Sequence, residues 1–209
     1  GYIANGSEPW KVPDVSAIPK IKNNLTKKSP DEYLAYEHDD KTLARPWAIP
    51  GMKGYEHRIG GLEKAEGSGN VDYSPDNHEF MVKQRQRKVD VISDFIPEIE
   101  VFGEETGKLL VISWGGVFGS VKSAVKKAQE EKLSVSHIHL RHLNPFPKNL
   151  GDIIVNFDKV LIPELNMGHL LSIIRDKYLV DAKGLNKIAG KPFSSNEVFL
   201  KIQSVVKEK

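Results

Sequence analysis

The sequence predicts an α/β fold: three α/β/α layers on a small, mostly parallel sheet, preceded by a loop-rich segment and one helix. Three observations predict it. Beyond residue 100, short apolar runs alternate with stretches of helical period, the pattern of strand–helix units wound around a parallel sheet. From residue 1 to about Ser74, Pro and Gly recur without a sustained apolar period, as in "RPWAIPGMKGYEHRIGG" and "EGSGN", so regular structure is scarce there. Between the two lies "SPDNHEFMVKQRQRKVDVISDFIP", which carries helix start and stop signals.

In that stretch Ser74 suits the cap, Pro75 the first helical position, and Asp76 and Glu79 the positive end. Met81, Val89, Ile92 and Ile96 roughly follow helical spacing, and Pro97 stops the helix. "EIEVFGEETG" reads as a linker. "KLLVIS" is a buried strand, and "VKSAVKKAQEEK" a helix with Val121, Ala124, Val125 and Ala128 on one face. "SVSHIHL" is a second strand. "NLGDIIVNF" is a short helix turning Leu150, Ile153, Ile154 and Phe157 inward. "KVLIPEL" is a third strand, "GHLLSIIRDKYL" a third helix, and "VDAKGLNK" a weaker fourth strand. The last helix opens on a capping box, Ser194 with Glu197, and carries the stripe Val198, Phe199, Ile202 and Val206.

Composition narrows the function. Lys+Arg 30 against Asp+Glu 28 leaves a net charge of +2, too small to argue for nucleic acid. The basic cluster Arg85-Gln86-Arg87-Lys88 reads as a solvated helix face. Cysteine is absent, which removes disulfides, thiol nucleophiles and cysteine-ligated iron–sulfur clusters from this chain. No apolar run approaches the ~20 residues of a membrane span, and a soluble cytoplasmic protein is expected. The opening Gly1 suggests a fragment. A loop run as long as the first seventy or so residues is uncommon in a self-sufficient domain, so this part is expected to pack on other protein surface.

The glycine turn "WGGVFG" invites a nucleotide reading. A dinucleotide loop has the spacing G-x-G-x-x-G. Gly116 and Gly119 fit its last two positions, but Trp114 stands at the first, and no carboxylate follows where the ribose would need one. No P-loop is present. The structural reading is that the glycines let the strand turn tightly into a helix packed close to the sheet. The carboxyl ends of the strands also carry Arg141, Asn144, Glu164 and Asn166 on one rim, where ligands and partners meet open α/β sheets. Pro145, Phe146 and Pro147 beside them favour an interface over a ligand site. His137, His139 and His142 make an H-x-H pair plus one, a weak metal signal; packed or hydrogen-bonded histidines are the better reading. Asp39-Asp40 and Glu104-Glu105 read as solvated.

The segments "YIANGSEPW", "RPWAIPGMKGYEHRIGGLEK", "LRHLNPFPKN", "PELNMGHLLSIIRDKYLVD" and "GLNKIAGKPF" carry a resemblance. In order and end to end, the chain resembles the C-terminal part of the alpha subunit of the 2-oxoacid:ferredoxin (acceptor) oxidoreductases, 2-oxoglutarate type. The resemblance implies a division at about residue 100. Residues 1–100 would be the tail of the pyrimidine-binding domain, a connection and a linker helix. Residues 101–209 would be a transketolase C-terminal-like α/β domain. It implies a holoenzyme that decarboxylates a 2-oxoacid on thiamine diphosphate with Mg²⁺, transfers the acyl group to coenzyme A, and passes electrons through an iron–sulfur cluster to ferredoxin. The implied partner is the beta subunit.

The family's "YPITPS"-like and "RGGPSTG"-like segments, and the beta subunit's G-D-G…N signature, do not occur here. No catalytic residue and no metal ligand carries over, and the chain alone is expected to be inactive, serving assembly and domain contact. His169 and His142 depart from the residues usual at those positions. The residues expected nearest to substrate or cofactor are Arg141 and Asn166 on the rim, and His57 and Arg58 in the "EHRIGG" loop. Interface ion pairs and loop-anchoring hydrogen bonds compete for each. The rival readings are a self-standing CoA- or nucleotide-binding module, a protein-interaction module, and the tail of a transketolase or 2-oxoacid dehydrogenase. The "RPWAIPG…EHRIGG" segment argues against the last.

Overall fold

A computed structural model describes residues 14–20 and 22–208. The stretch "YIANGSEPW" lies outside them. The described residues divide into two compact units between Phe95 and Ile96, and each is taken by itself.

The first unit is built from loops. Its short 3-10 turns are Val15–Ala17 and Pro30–Glu32, and isolated bridges join Leu25 to Trp47, Tyr36 to Gly67 and Lys64 to Val71. Its one long element is helix α1, Pro75–Asp90, which tightens into a 3-10 turn at Val91–Phe95. Pro75 opens α1 as the sequence suggests, but the Ser74 hydroxyl makes no capping bond. The expected apolar stripe is not buried: α1 has no buried residue, and Ile92 is 47% exposed. Polar contacts hold the helix instead. Glu63 accepts from Arg85 Nη1 at 2.8 Å and pairs with His78 Nδ1 at 2.7 Å, and Asn77 Nδ2 donates to the Lys64 carbonyl at 3.0 Å. Lys64 is itself buried, its ammonium donating to the carbonyls of Gly60 and Leu62. Among the described residues of this unit, only Ala35, Leu43, Lys64 and Gly69 are buried. That is little apolar burial against the conformational entropy of ordering some eighty residues.

The second unit has a true core. Strands β1 (Gly107–Trp114), β2 (Val135–Leu140), β3 (Phe157–Glu164) and β4 (Lys183–Asn186) form one sheet in the order β2-β1-β3-β4. Every pairing is parallel, with Val111 opposite both His137 and Leu161. Helices α2 (Phe118–Glu130) and α5 (Ser195–Lys207) cover one face, and α3 (Leu150–Ile154) and α4 (His169–Tyr178) the other. Strand alternation sorts the two cores. Leu109 and Val111 meet α2 and α5, while Leu110 and Ile112 meet α3 and α4. All four residues expected on the inner face of α2 are buried.

Two local expectations change. Phe157 is buried but opens β3 rather than closing α3. On α5 the buried fourth residue is Val205, and Val206 lies at the margin of the core. The capping box at Ser194 and Glu197 is present, with the Glu197 backbone N–H donating to Ser194 Oγ at 3.2 Å. Among the described residues no helix is long and apolar enough to cross a membrane.

Candidate functional site

The glycine turn resolves into unequal parts. Gly115 has φ +60°, a backbone that side chains rarely adopt, and so the turn out of β1 needs a glycine there. Gly116 and Gly119 have ordinary φ and open space where a side chain would lie. Close packing against the sheet, the reason expected from sequence, does not explain them.

In a 2-1-3-4 sheet the crevice lies beyond the ends of β1 and β3, where connections leave to opposite faces. Here that crevice is filled. Glu164, at the end of β3, is 1% exposed. Its Oε1 accepts from Trp114 Nε1 at 3.2 Å, Asn166 Nδ2 at 3.1 Å and the Leu170 backbone N–H at 2.9 Å, and its Oε2 accepts from the Leu171 N–H at 3.0 Å. The carboxylate thus satisfies donors at the start of α4, where the helix dipole also favours a negative charge. Asn166 Oδ1 accepts from the N–H groups of Gly168 and His169 at 2.7 and 3.0 Å. Both ends of the Asn166 amide are engaged in holding this loop. Pro145, Phe146 and Pro147 do not stand on the rim as expected: all three are buried, with Phe146 in the α3–α4 core beside the Tyr178 ring.

The open concavity lies at the free edge of β2. Ser113, His137 and His139 continue the α2-side face of the sheet toward its carboxyl end. Ser113 Oγ lies 2.7 Å from His137 Nε2 and 2.8 Å from His139 Nδ1. A hydroxyl has one proton, so it donates to one ring and accepts N–H from the other. Burial, with the charges of His139 and Lys122 nearby, pushes His137 down to about 3. Burial and Arg141 lower His139 in the same direction. Both rings are neutral at physiological pH, which is what a hydroxyl shared between two imidazoles requires. The histidines are hydrogen-bonded, as the sequence reading favoured.

Above them sits a cavity of about 510 Å³ lined by Glu98, Glu100, Phe102, Phe118, Lys122, His139 and Arg141, among others. Phe102 reaches this edge through an antiparallel bridge to His137. Of the residues singled out from sequence, Arg141, His137, His139 and His142 line it, and Asn166 does not. Sequence reading missed Lys122, Phe102 and Phe118. The spacing of Phe118 and Lys122, four apart on α2, is the signal that could have paired these two.

His57 and Arg58 belong to the other unit and are exposed. His57 Nδ1 lies 2.9 Å from the Tyr55 carbonyl, and its ring is edge-on to Tyr33. His57 lines a cavity of about 650 Å³ with Tyr33, Trp47 and Tyr55. The Arg58 carbonyl accepts from the Tyr36 hydroxyl at 3.4 Å.

Comparison with known proteins accounts for this fold. Residues 107–198 match the family model of pyruvate:ferredoxin oxidoreductase core domain II. The chain is 48% identical over 200 residues to the 2-oxoglutarate oxidoreductase subunit KorA of Mycobacterium tuberculosis, covering 95% of this chain and 30% of that one. It is 32% identical over 141 residues to the 2-oxoglutarate synthase subunit KorA of Methanocaldococcus jannaschii, covering 63% of this chain and 37% of that one. The structure matches that of a 2-oxoglutarate:ferredoxin oxidoreductase from Magnetococcus marinus with 2-oxoglutarate, coenzyme A and succinyl-CoA bound, at TM-score 0.86 and 27% identity, covering 93% of this chain and 34% of that chain. The chain spans about a third of the length of the curated relatives it matches. It belongs to the 2-oxoacid:ferredoxin oxidoreductase family.

Proposed function

We propose that this chain works as a non-catalytic framework segment of an alpha subunit in a complex that oxidatively decarboxylates 2-oxoglutarate to succinyl-CoA and passes the electrons to ferredoxin. The observation that carries the reading is the 48% identity to a 2-oxoglutarate oxidoreductase subunit across 95% of the chain. The Magnetococcus structure, with 2-oxoglutarate, coenzyme A and succinyl-CoA bound, supports the substrate pair.

The chain's own chemistry supports the framework role. The β1–β3 crevice is closed by Trp114, Glu164 and Asn166. The family's iron–sulfur cluster finds no thiolate here, because the sequence has no cysteine. Among the described residues, no three His, Asp or Glu side chains converge as a metal set. These groups belong, in this reading, to the rest of the alpha subunit and to the beta subunit. Residues 1–100 would complete the pyrimidine-binding domain and connect it to the α/β domain of 101–209. The exposed His57 and Arg58, and Arg141, would face substrate, coenzyme A or a neighbouring domain, and Asn166 would shape the loop before α4. The complex would work in the cytoplasm.

The test is a substrate panel on the complete complex that contains this segment. Coenzyme A-dependent ferredoxin reduction with 2-oxoglutarate, at a kcat/KM at least about tenfold above that with pyruvate or a branched-chain 2-oxoacid, is expected; a tenfold preference corresponds to about 1.4 kcal/mol of transition-state discrimination. Preference for another 2-oxoacid would overturn the substrate assignment.

A further inference from the structure

The cavity at the free edge of β2 carries charges of both signs that the fold leaves unpaired. Lys122 and Arg141 line it from α2 and from the end of β2; Glu98 and Glu100 line it from the linker. Among the described residues no ion pair joins any of the four to another group. Lys122 Nζ instead lies over two aromatic rings, 5.2 Å from the centroid of Phe102 and 5.3 Å from that of Phe118. An ammonium held over rings with no carboxylate at ion-pair distance keeps its capacity for an anion.

Neither a simple anion nor a simple cation fits this lining. An anion drawn to Lys122 and Arg141 meets two carboxylates, and a cation drawn to Glu98 and Glu100 meets two permanent positive charges. One molecule with both charges, and an apolar group between or beside them, satisfies every part of the wall. The volume of about 510 Å³ lies within the range of small-molecule sites.

We propose that this cavity binds a small α-amino acid as its zwitterion. The carboxylate lies against Arg141 and Lys122, the ammonium against Glu98 and Glu100, and an apolar or aromatic side chain against Phe102 and Phe118. Arginine supplies a planar fork suited to a carboxylate. The site shares Arg141 with the proposed function but does not rest on that reading, and its test reads amino-acid binding alone.

The experiment is calorimetric titration of the whole 209-residue chain with L-phenylalanine, 3-phenylpropionate and phenethylamine, which share one ring and differ in charge. Saturable binding of phenylalanine, at least about tenfold tighter than either half-analogue, is expected, because each analogue forfeits one set of charge-assisted hydrogen bonds. Arg141→Gln should weaken phenylalanine by about tenfold and leave phenethylamine bound at least as tightly, since a repelling charge is removed. Glu98→Gln with Glu100→Gln should weaken phenylalanine and leave 3-phenylpropionate bound at least as tightly, since two repelling charges are removed. All three side chains are exposed, so melting temperatures should match the parent and confirm intact folding. Equal affinity for the three probes, 3-phenylpropionate binding as tightly as phenylalanine, or no saturable binding of phenylalanine would each overturn the proposal.

Discussion

Glu164 organises the rim of the sheet. Its carboxylate is buried and receives two side-chain and two backbone donors. Replacing one oxygen by an amide turns an acceptor into a donor facing donors. Glu164→Gln is therefore expected to cost about 2 kcal/mol, measured by urea unfolding, and to change Trp114 fluorescence by disturbing the acceptor its indole shares with Asn166 and Leu170. The sequence shows an acidic residue after a strand, but not the backbone N–H groups that claim it, so Glu164 and Asn166 look from sequence like free polar groups on a rim. His137 offers a second test. Its folded value, about 3, lies below the ordinary 6.5, so the unfolded chain binds its proton first as pH falls. Stability from this residue is complete above pH 6.5 and declines by about 1.4 kcal/mol per pH unit below it, until the folded ring titrates near pH 3. The carboxylates with lowered values, Glu197 at about 2 among them, lose their contribution only as pH drops below 4.5. Between pH 6.5 and 4.5 the histidine effect stands clear of them, with His139 adding in the same direction. His137→Asn should flatten the stability–pH curve in that window; an unchanged slope would show that the Ser113–histidine chain is not buried and neutral.

At the scale of elements, the strands and helices of residues 107–208 are legible because their apolar periods are undisturbed. Val121, Ala124, Val125 and Ala128 all fall where a 3.6 period puts them. On α5 the period leaves Val205 and Val206 as neighbours on one arc, and only packing against the sheet chooses Val205. Helix α1 shows the opposite failure: caps and proline locate it, while its apolar residues find no core among the described residues. The cavity was illegible for a different reason, since it depends on the bridge between Phe102 and His137, thirty-five positions apart by their numbers. The glycine turn yields a paired prediction. Gly115→Ala should destabilise the chain by about 1–2 kcal/mol, because φ +60° penalises a side chain. Gly119→Ala, inside α2 with open space around it, should stabilise by about 0.5–1 kcal/mol. Thermal unfolding of the two variants measures both; equal effects would contradict this account of the turn.

At the scale of the whole molecule, the two units differ in how much they bury. The α/β unit has two continuous cores, whereas the described residues up to Phe95 bury four side chains or backbone positions and expose Trp47, Ile59, Tyr73 and Phe95. Limited proteolysis of the isolated chain should therefore cut within 14–95 well before 107–208. Such a unit suits the proposed framework segment, which spans about a third of its relatives. The most direct measurement is turnover. Coenzyme A- and 2-oxoglutarate-dependent electron transfer to ferredoxin is assayed for this chain alone and for the proposed complete alpha subunit assembled with the proposed beta subunit. The complete assembly is expected to reduce ferredoxin and the chain alone to give no rate above background. Turnover by the chain alone, or an assembly that ignores 2-oxoglutarate, would contradict a framework segment of a 2-oxoglutarate oxidoreductase.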